Sequence, residues 1–270
     1  MLERDMHQGA SLLHHTPETE LRVAALAPVP DALGLETLWH MCAQLQRLGY
    51  PVVVLDGCSH ESQARPGLAQ VLEQDPWSQN LDHACFTNAS SFAVLPAAQG
   101  LRRLMQDADT GASSKLAQLQ PHFHSYALAL IHAPVEWLGL LLQPQSGKPM
   151  VMLAPGTSGT QQAYQQIEHL ATQAEQACQV CAVVRGSSET LPARRARAQI
   201  TTLQRCAADL LGMSPASLVV NAESSQDLQR LALQMLENAG TISGATGFPL
   251  YAGDMPPYPG AVPALHRFRP

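Results

Sequence analysis

Residues 21–58 constrain this chain more than any other stretch. The apolar run LRVAALA leads through PVPDALGLETLWHMCAQLQRLGY into a second apolar run, PVVVLDGC, a strand, turn, helix and strand in that order. Two apolar runs joined through a helical stripe predict a parallel β-α-β unit. In many such units the first turn holds phosphate, using glycine N–H groups at a helix N-terminus and the charge of a lysine in a GK[ST] ending. Here the turn from Ala27 to Thr37 carries two prolines, Pro28 and Pro30, which have no N–H, while Asp31 and Glu36 put negative charge where phosphate would sit. The frame is that of a nucleotide-binding scaffold without its phosphate chemistry.

The rest of the chain repeats the alternation. Residues 59–90 are polar and turn-rich and predict an irregular, partly helical excursion. Apolar strand candidates follow at 91–95, 126–131, 149–153, 180–184 and 217–220, interleaved with helical patterns at 99–106, 113–119, 157–177, 194–211 and 225–237. The expected fold is α/β: a doubly wound, mostly parallel sheet of six or seven strands flanked by helices. Its ligand crevice belongs at the C-terminal strand ends. Pro28, Asp31, Gly34, Thr37, Asp56, His132 and Pro134 are expected to border it, with Asp56 capping the turn after the second strand. The division is 1–19 as a partner-binding or disordered segment, 20–240 as the α/β domain, and 241–270 as an extended, poorly packed tail rich in proline.

A hydrophobic content of 46% is ample for a core, while 14% charged residues and a net charge of −6 exclude nucleic acid as the natural partner. No run approaches the ~18 apolar residues of a membrane span, so a cytoplasmic protein without a stable membrane anchor is expected. The six cysteines read as reduced buried thiols, and Cys178-Gln-Val-Cys181 runs into an apolar strand with no second pair at matching spacing. Eleven histidines, among them the pairs His14-His15 and His122-Phe-His124, lack a convergent ligand pattern. No metal site is expected. There is no GxGxxG, and Gly156-Thr-Ser158-Gly159 is not a nucleophile elbow.

Taken in order, several strings resemble the MinD/ParA family of deviant Walker ATPases over roughly residues 20–240, with flagellar number regulators of the FlhG or FleN type nearest. Leu48-Gly-Tyr-Pro-Val-Val-Val-Leu-Asp56 is similar to the family's strand ending in its first aspartate. Leu95-Pro-Ala-Ala-Gln-Gly-Leu101 resembles its L-P-x-x-x-G-L turn, Tyr126 to Pro134 its strand leading into switch II, and Pro155 to Leu170 its D-A-Y-x-x-I-x-x-L segment. The resemblance also shows what has changed. The family's loop lysines have no counterpart, since the only lysines are Lys115 and Lys148. Its second aspartate falls at Cys58, its switch II aspartate at His132, its following threonine at Ala133, and its base-contacting N-R at Arg185-Gly186. Nearly every polar group that phosphoryl transfer needs is altered together.

The resemblance implies a non-hydrolysing pseudo-ATPase that binds protein partners in flagellar assembly, number or polar placement, with no catalytic residue and no cofactor, and with recruitment to a cell pole. His7 to Leu13 keeps Gln8 and Leu12 of the short helix with which FlhG-type proteins engage an FlhF-like GTPase. Gln8, Leu12, Leu13 and Trp137 are therefore the partner-binding candidates, an exposed face around His132 to Trp137 being expected, and a homodimer is allowed. Two alternatives stand beside this reading. One is an unusual active ATPase of the MinD/ParA type, binding ATP and magnesium and positioning a pole, division or surface-appendage system. The other is an unrelated Rossmann-like enzyme.

Overall fold

The computed structural model describes residues 21–74, 92–106, 112–142, 147–186 and 190–242. Their strands are β1 (Leu21–Leu26), β2 (Val52–Asp56), β3 (Ala93–Pro96), β4 (Leu128–His132), β5 (Met150–Leu153), β6 (Gln179–Val184), β7 (Ala216–Asn221) and β8 (Gly240–Ile242). Seven of them run parallel in the order β3-β2-β4-β1-β5-β6-β7. The chain winds one way from β1 to β3, returns through β4 and then winds the other way. The C-terminal ends of β4, β1 and β5 therefore meet at a topological switch point, where open α/β sheets bind ligands.

Strand periodicity sorts the side chains onto two faces. Val23, Ala25, Val53, Leu55, Ala129, Ile131, Val151 and Leu153 enter one core cluster, and their neighbours Ala24, Leu26, Val52, Val54, Leu128, Leu130, Met150 and Met152 enter the other. The second face is covered by α1 (Ala32–Arg47), through Leu38, Met41, Cys42 and Leu45, and by the later helix Ser225–Glu237. The first face is covered by α2 (Leu68–Glu73), α3 (Ala98–Gln106), α4 (Ala112–Ala117), α5 (Gln120–Phe123), α6 (Val135–Leu141), α7 (Thr157–Gln173) and α8 (Leu191–Leu211); Ser225–Glu237 is α9. Burial on both faces explains why the strands read as continuous apolar runs. No described helix is long and apolar enough to cross a membrane.

The expected elements are present, the polar excursion after β2 being partly helical through α2, with one correction: the sheet has eight strands because the first residues of the expected tail join it. β1 meets β5 only at Leu26, so the edge of Leu21 to Val23 lacks a partner there; β8 fills it antiparallel, with Leu21 opposite Ile242, which is 7% exposed. Unpaired backbone in a sheet interior is costly, and this closure removes the cost. Residues 243–270 and 1–20 lie outside the described residues.

Candidate functional site

The crevice is built where β1 gives way to α1. Ala27 N–H donates to the Met150 carbonyl at 2.9 Å, fixing the start of the turn against β5. Asp31 is the N-cap of α1, and its Oδ1 accepts the Gly34 N–H at 2.7 Å. An anion site at a helix N-terminus offers free N–H groups. Here one of them is already satisfied by a carboxylate of the chain itself. The turn also folds close over the helix: a Cβ added at Gly34 would lie 2.6 Å from Val29 Cγ1 and 3.1 Å from Met152 Sδ. Thr37, expected at the crevice, turns inward instead; it is fully buried and its hydroxyl donates to the Leu33 carbonyl at 2.8 Å. Its place in the stripe with Leu38, Met41 and Cys42 explains that orientation.

Asp56 and His132 end adjacent strands in register, and their side chains meet at the sheet edge, Asp56 Oδ1 and His132 Nδ1 being 3.0 Å apart. Val29 N–H donates to His132 Nε2 at 3.3 Å. A ring nitrogen that accepts an N–H carries no proton, so the neutral ring holds its proton on Nδ1 and donates it to Asp56. His132 thus joins the first turn to the end of β2. Asp56 also caps its own turn: Oδ1 accepts from Cys58 N–H at 3.1 Å and Oδ2 from the Ser59 hydroxyl at 2.5 Å. Burial pushes its carboxyl up, but the hydrogen bonds from His132, Ser59 and Cys58 outweigh it, leaving Asp56 below the usual value. The neighbouring Cys58 side chain is exposed, yet partial desolvation of its thiol and the Asp56 charge push it up. The His132 nitrogen that would activate a nucleophile is held by Val29, so the three groups do not form a hydrolase triad.

The lysines are no substitute for a phosphate-loop lysine. Lys148 precedes β5 and so stands at the opposite end of the sheet, with its N–H on the Asn238 carbonyl, and the Lys115 ammonium donates to the Met105 carbonyl at 3.2 Å. Pro28 and Pro134 flank a small cleft of about 370 Å³ that continues to Gln162, Gln165 and His169 of α7. A separate, larger cavity of about 950 Å³ opens over the ends of β5 and β6, between α7 and α8, with Leu33, Leu153, Ala182, Val184 and Ala196 among its walls. Arg185 and Arg195 also line it; Arg185 is tied to Glu36 of α1 at 2.7 Å. Nothing in the sequence pattern marked this cavity.

Trp137 does not form the exposed hot spot expected of it. It is half-buried against the core, and the Arg102 guanidinium carbon lies 5.0 Å from its ring centroid. The exposed apolar side chain of α6 is Leu140, at 60%. Gln8, Leu12 and Leu13 lie outside the described residues. The expectation for the CxxC has a geometric basis: Cys178, just before β6, packs into one core cluster and Cys181 of β6 into the other, on opposite sides of the sheet, and burial pushes each thiol up to about 12. They cannot share a ligand.

Three solved structures are similar to this chain, the first two closely enough to share its arrangement of strands and helices. A cobyrinic acid a,c-diamide synthase from Mycobacterium smegmatis, with ADP and magnesium bound, superposes with a TM-score of 0.51 at 15% identity, over 83% of this chain and 99% of that one. A variant of McdA from Cyanothece in complex with ATP gives 0.51 at 10% identity, over 81% and 96%. MinD in the MinC:MinD cell division complex of Aquifex aeolicus gives 0.46 at 15% identity, over 79% and 86%. No family model matches the sequence, and no curated protein matches it. The fold is the one the first two of these structures share, a mainly parallel sheet with helices on both faces. At these identities it is the fold that is shared, and the function rests on this chain's own residues.

Proposed function

We propose that this chain is a non-hydrolysing MinD/ParA-type regulator that works by binding a protein partner, and that its role is the assembly, number or polar placement of flagella. The observation that carries the first half is the Asp31 carboxylate on the Gly34 N–H, in a crevice with no lysine among the described residues. Triphosphate would have to displace a carboxylate of its own sign and would find no cation to replace it. The flagellar half rests on the FlhG-like strings of the sequence, and an FlhF-like GTPase or a flagellar component is the partner they suggest.

Calorimetry with ATP and magnesium tests the first half. No binding at micromolar concentrations and no phosphate release are expected. Micromolar affinity lost in Asp56→Asn would establish the active-ATPase alternative instead. Pull-down from the host with the full chain tests the second half, and deletion of residues 1–15 is expected to weaken partner capture while leaving the circular dichroism spectrum of the fold unchanged. Unaltered capture would move the partner site to the face around His132 to Leu140.

A further inference from the structure

We propose that Asp56, Cys58 and His132 form a binding site for a zinc-type transition-metal ion at the C-terminal ends of β2 and β4. The three side chains offer one oxygen, one sulfur and one nitrogen donor, all within 4.8 Å of one another. A tetrahedral zinc ion with bonds of about 2.0–2.3 Å holds its donors roughly 3.3–3.8 Å apart. The Asp56 and His132 donors are already at 3.0 Å, so closing the site asks chiefly for a rotation of Cys58, which is exposed in its turn. The backbone that carries the donors is fixed. Asp56 and His132 are register partners, and Gly57 N–H donates to the His132 carbonyl at 2.7 Å, which pins the turn before Cys58. Gly57 is enclosed by Ala133 and Leu101, whose atoms would lie 2.9 Å from an added Cβ.

The donor set decides the metal class. Magnesium takes oxygen ligands in octahedral geometry and gains nothing from a thiol, whereas thiolate and imidazole suit zinc and cobalt. Three protein ligands at a solvent-facing turn leave the fourth position to water. This site stands on geometry alone and does not depend on whether the crevice binds ATP.

The protons balance as follows. Cys58 binds as thiolate and releases its proton to solvent. His132 binds through Nδ1, so the neutral ring carries its remaining proton on Nε2, where it meets the Val29 N–H. Two donors cannot face each other, so metal binding breaks the Val29 bond and frees the turn before Asp31. The former phosphate turn thereby becomes the part of the molecule that responds to the ion.

Metal-stripped full-length protein is titrated with Co²⁺ and read by absorption. One equivalent is expected to produce a thiolate-to-cobalt charge-transfer band with tetrahedral visible bands, both displaced by Zn²⁺ and not by excess Mg²⁺. Cys58→Ser, at an exposed side chain, should abolish the charge-transfer band and weaken binding at least tenfold, while Cys206→Ser leaves both unchanged. Amide hydrogen exchange at Val29 should quicken on zinc binding. Absence of a thiolate band, a band that survives Cys58→Ser, or equal competition by Mg²⁺ overturns the site.

Discussion

Two helix N-termini face the crevice region, and they are finished in opposite ways. At α1 the cap is a side chain: Asp31 covers the Gly34 N–H, Val29 closes over it, and no room remains. At α7 the cap is Gly156, which has φ +93° and no capping side chain, and it opens onto the 950 Å³ cavity with nothing within 4 Å of where a Cβ would stand. The α1 end is filled by the chain's own atoms, while the α7 end borders an open space with mostly apolar walls. That space combines apolar walls with the side chains of Arg185 and Arg195.

Four substitutions would break or sharpen this contrast. The largest effect is expected from Gly34→Leu, which forces a side chain into Val29 and Met152 and should destabilise by about 3 kcal/mol, the upper end for overpacking. A urea midpoint close to that of the native chain would show that the turn is loose and the α1 end is open after all. Next comes Gly156→Ala. Its methyl meets nothing, yet φ +93° and ψ 176° form a region kept for glycine, so about 2 kcal/mol should be lost to backbone strain alone. If thermal unfolding is unchanged, that backbone relaxes at no cost and the α7 end is not fixed.

A smaller loss of about 1 kcal/mol is expected for Asp31→Ala, with Asp31→Ser recovering most of it, because the cap needs an oxygen and not a charge. Equal losses in the two variants, measured by denaturant unfolding, would make the charge itself the stabilising feature. The smallest effect belongs to Arg185→Ala. Its pairing with Glu36 joins side chains that are 61% and 47% exposed, and such pairs contribute less than about 0.5 kcal/mol. A larger drop in the melting temperature would mean that this pair closes the cavity mouth.

How much of this was legible in the sequence depended on the range of the interaction. The buried strands announced themselves because both of their faces are covered, and the helices because their stripes repeat locally; Leu128 to Ile131 and Ile167 to Leu170 are examples. The make-up of the first turn was also local, since its prolines and acids can be read where they stand, and Asp31 does cap α1 there. The links between segments were not. The bond from Val29 to His132 spans 103 positions, and the tie from Asp56 to His132 spans 76. Glu61 had no signal at all: it lies in a polar excursion, yet it is 5% exposed and accepts the Gln99 and Gly100 N–H groups at 2.6 and 2.8 Å, clamping that excursion onto the start of α3. Thr37 was misplaced for a related reason, because a hydroxyl near the start of a helix says nothing of which way the helix has turned it.

The pairing of β8 with β1 has a consequence for handling the molecule. Leu21 and Ile242 are register partners, so the described chain enters and leaves at neighbouring points. That doorway is at the end of the sheet away from Asp56 and His132, about 20 Å along a six-residue strand at roughly 3.3 Å per residue. A fluorophore or affinity handle fused directly at residue 21 or 242 starts from the side remote from the crevice. Joining 21 to 242 by a short linker and cutting the chain at a surface turn should yield a permuted molecule with the same sheet, in which the crevice can be presented to a surface from a chosen direction.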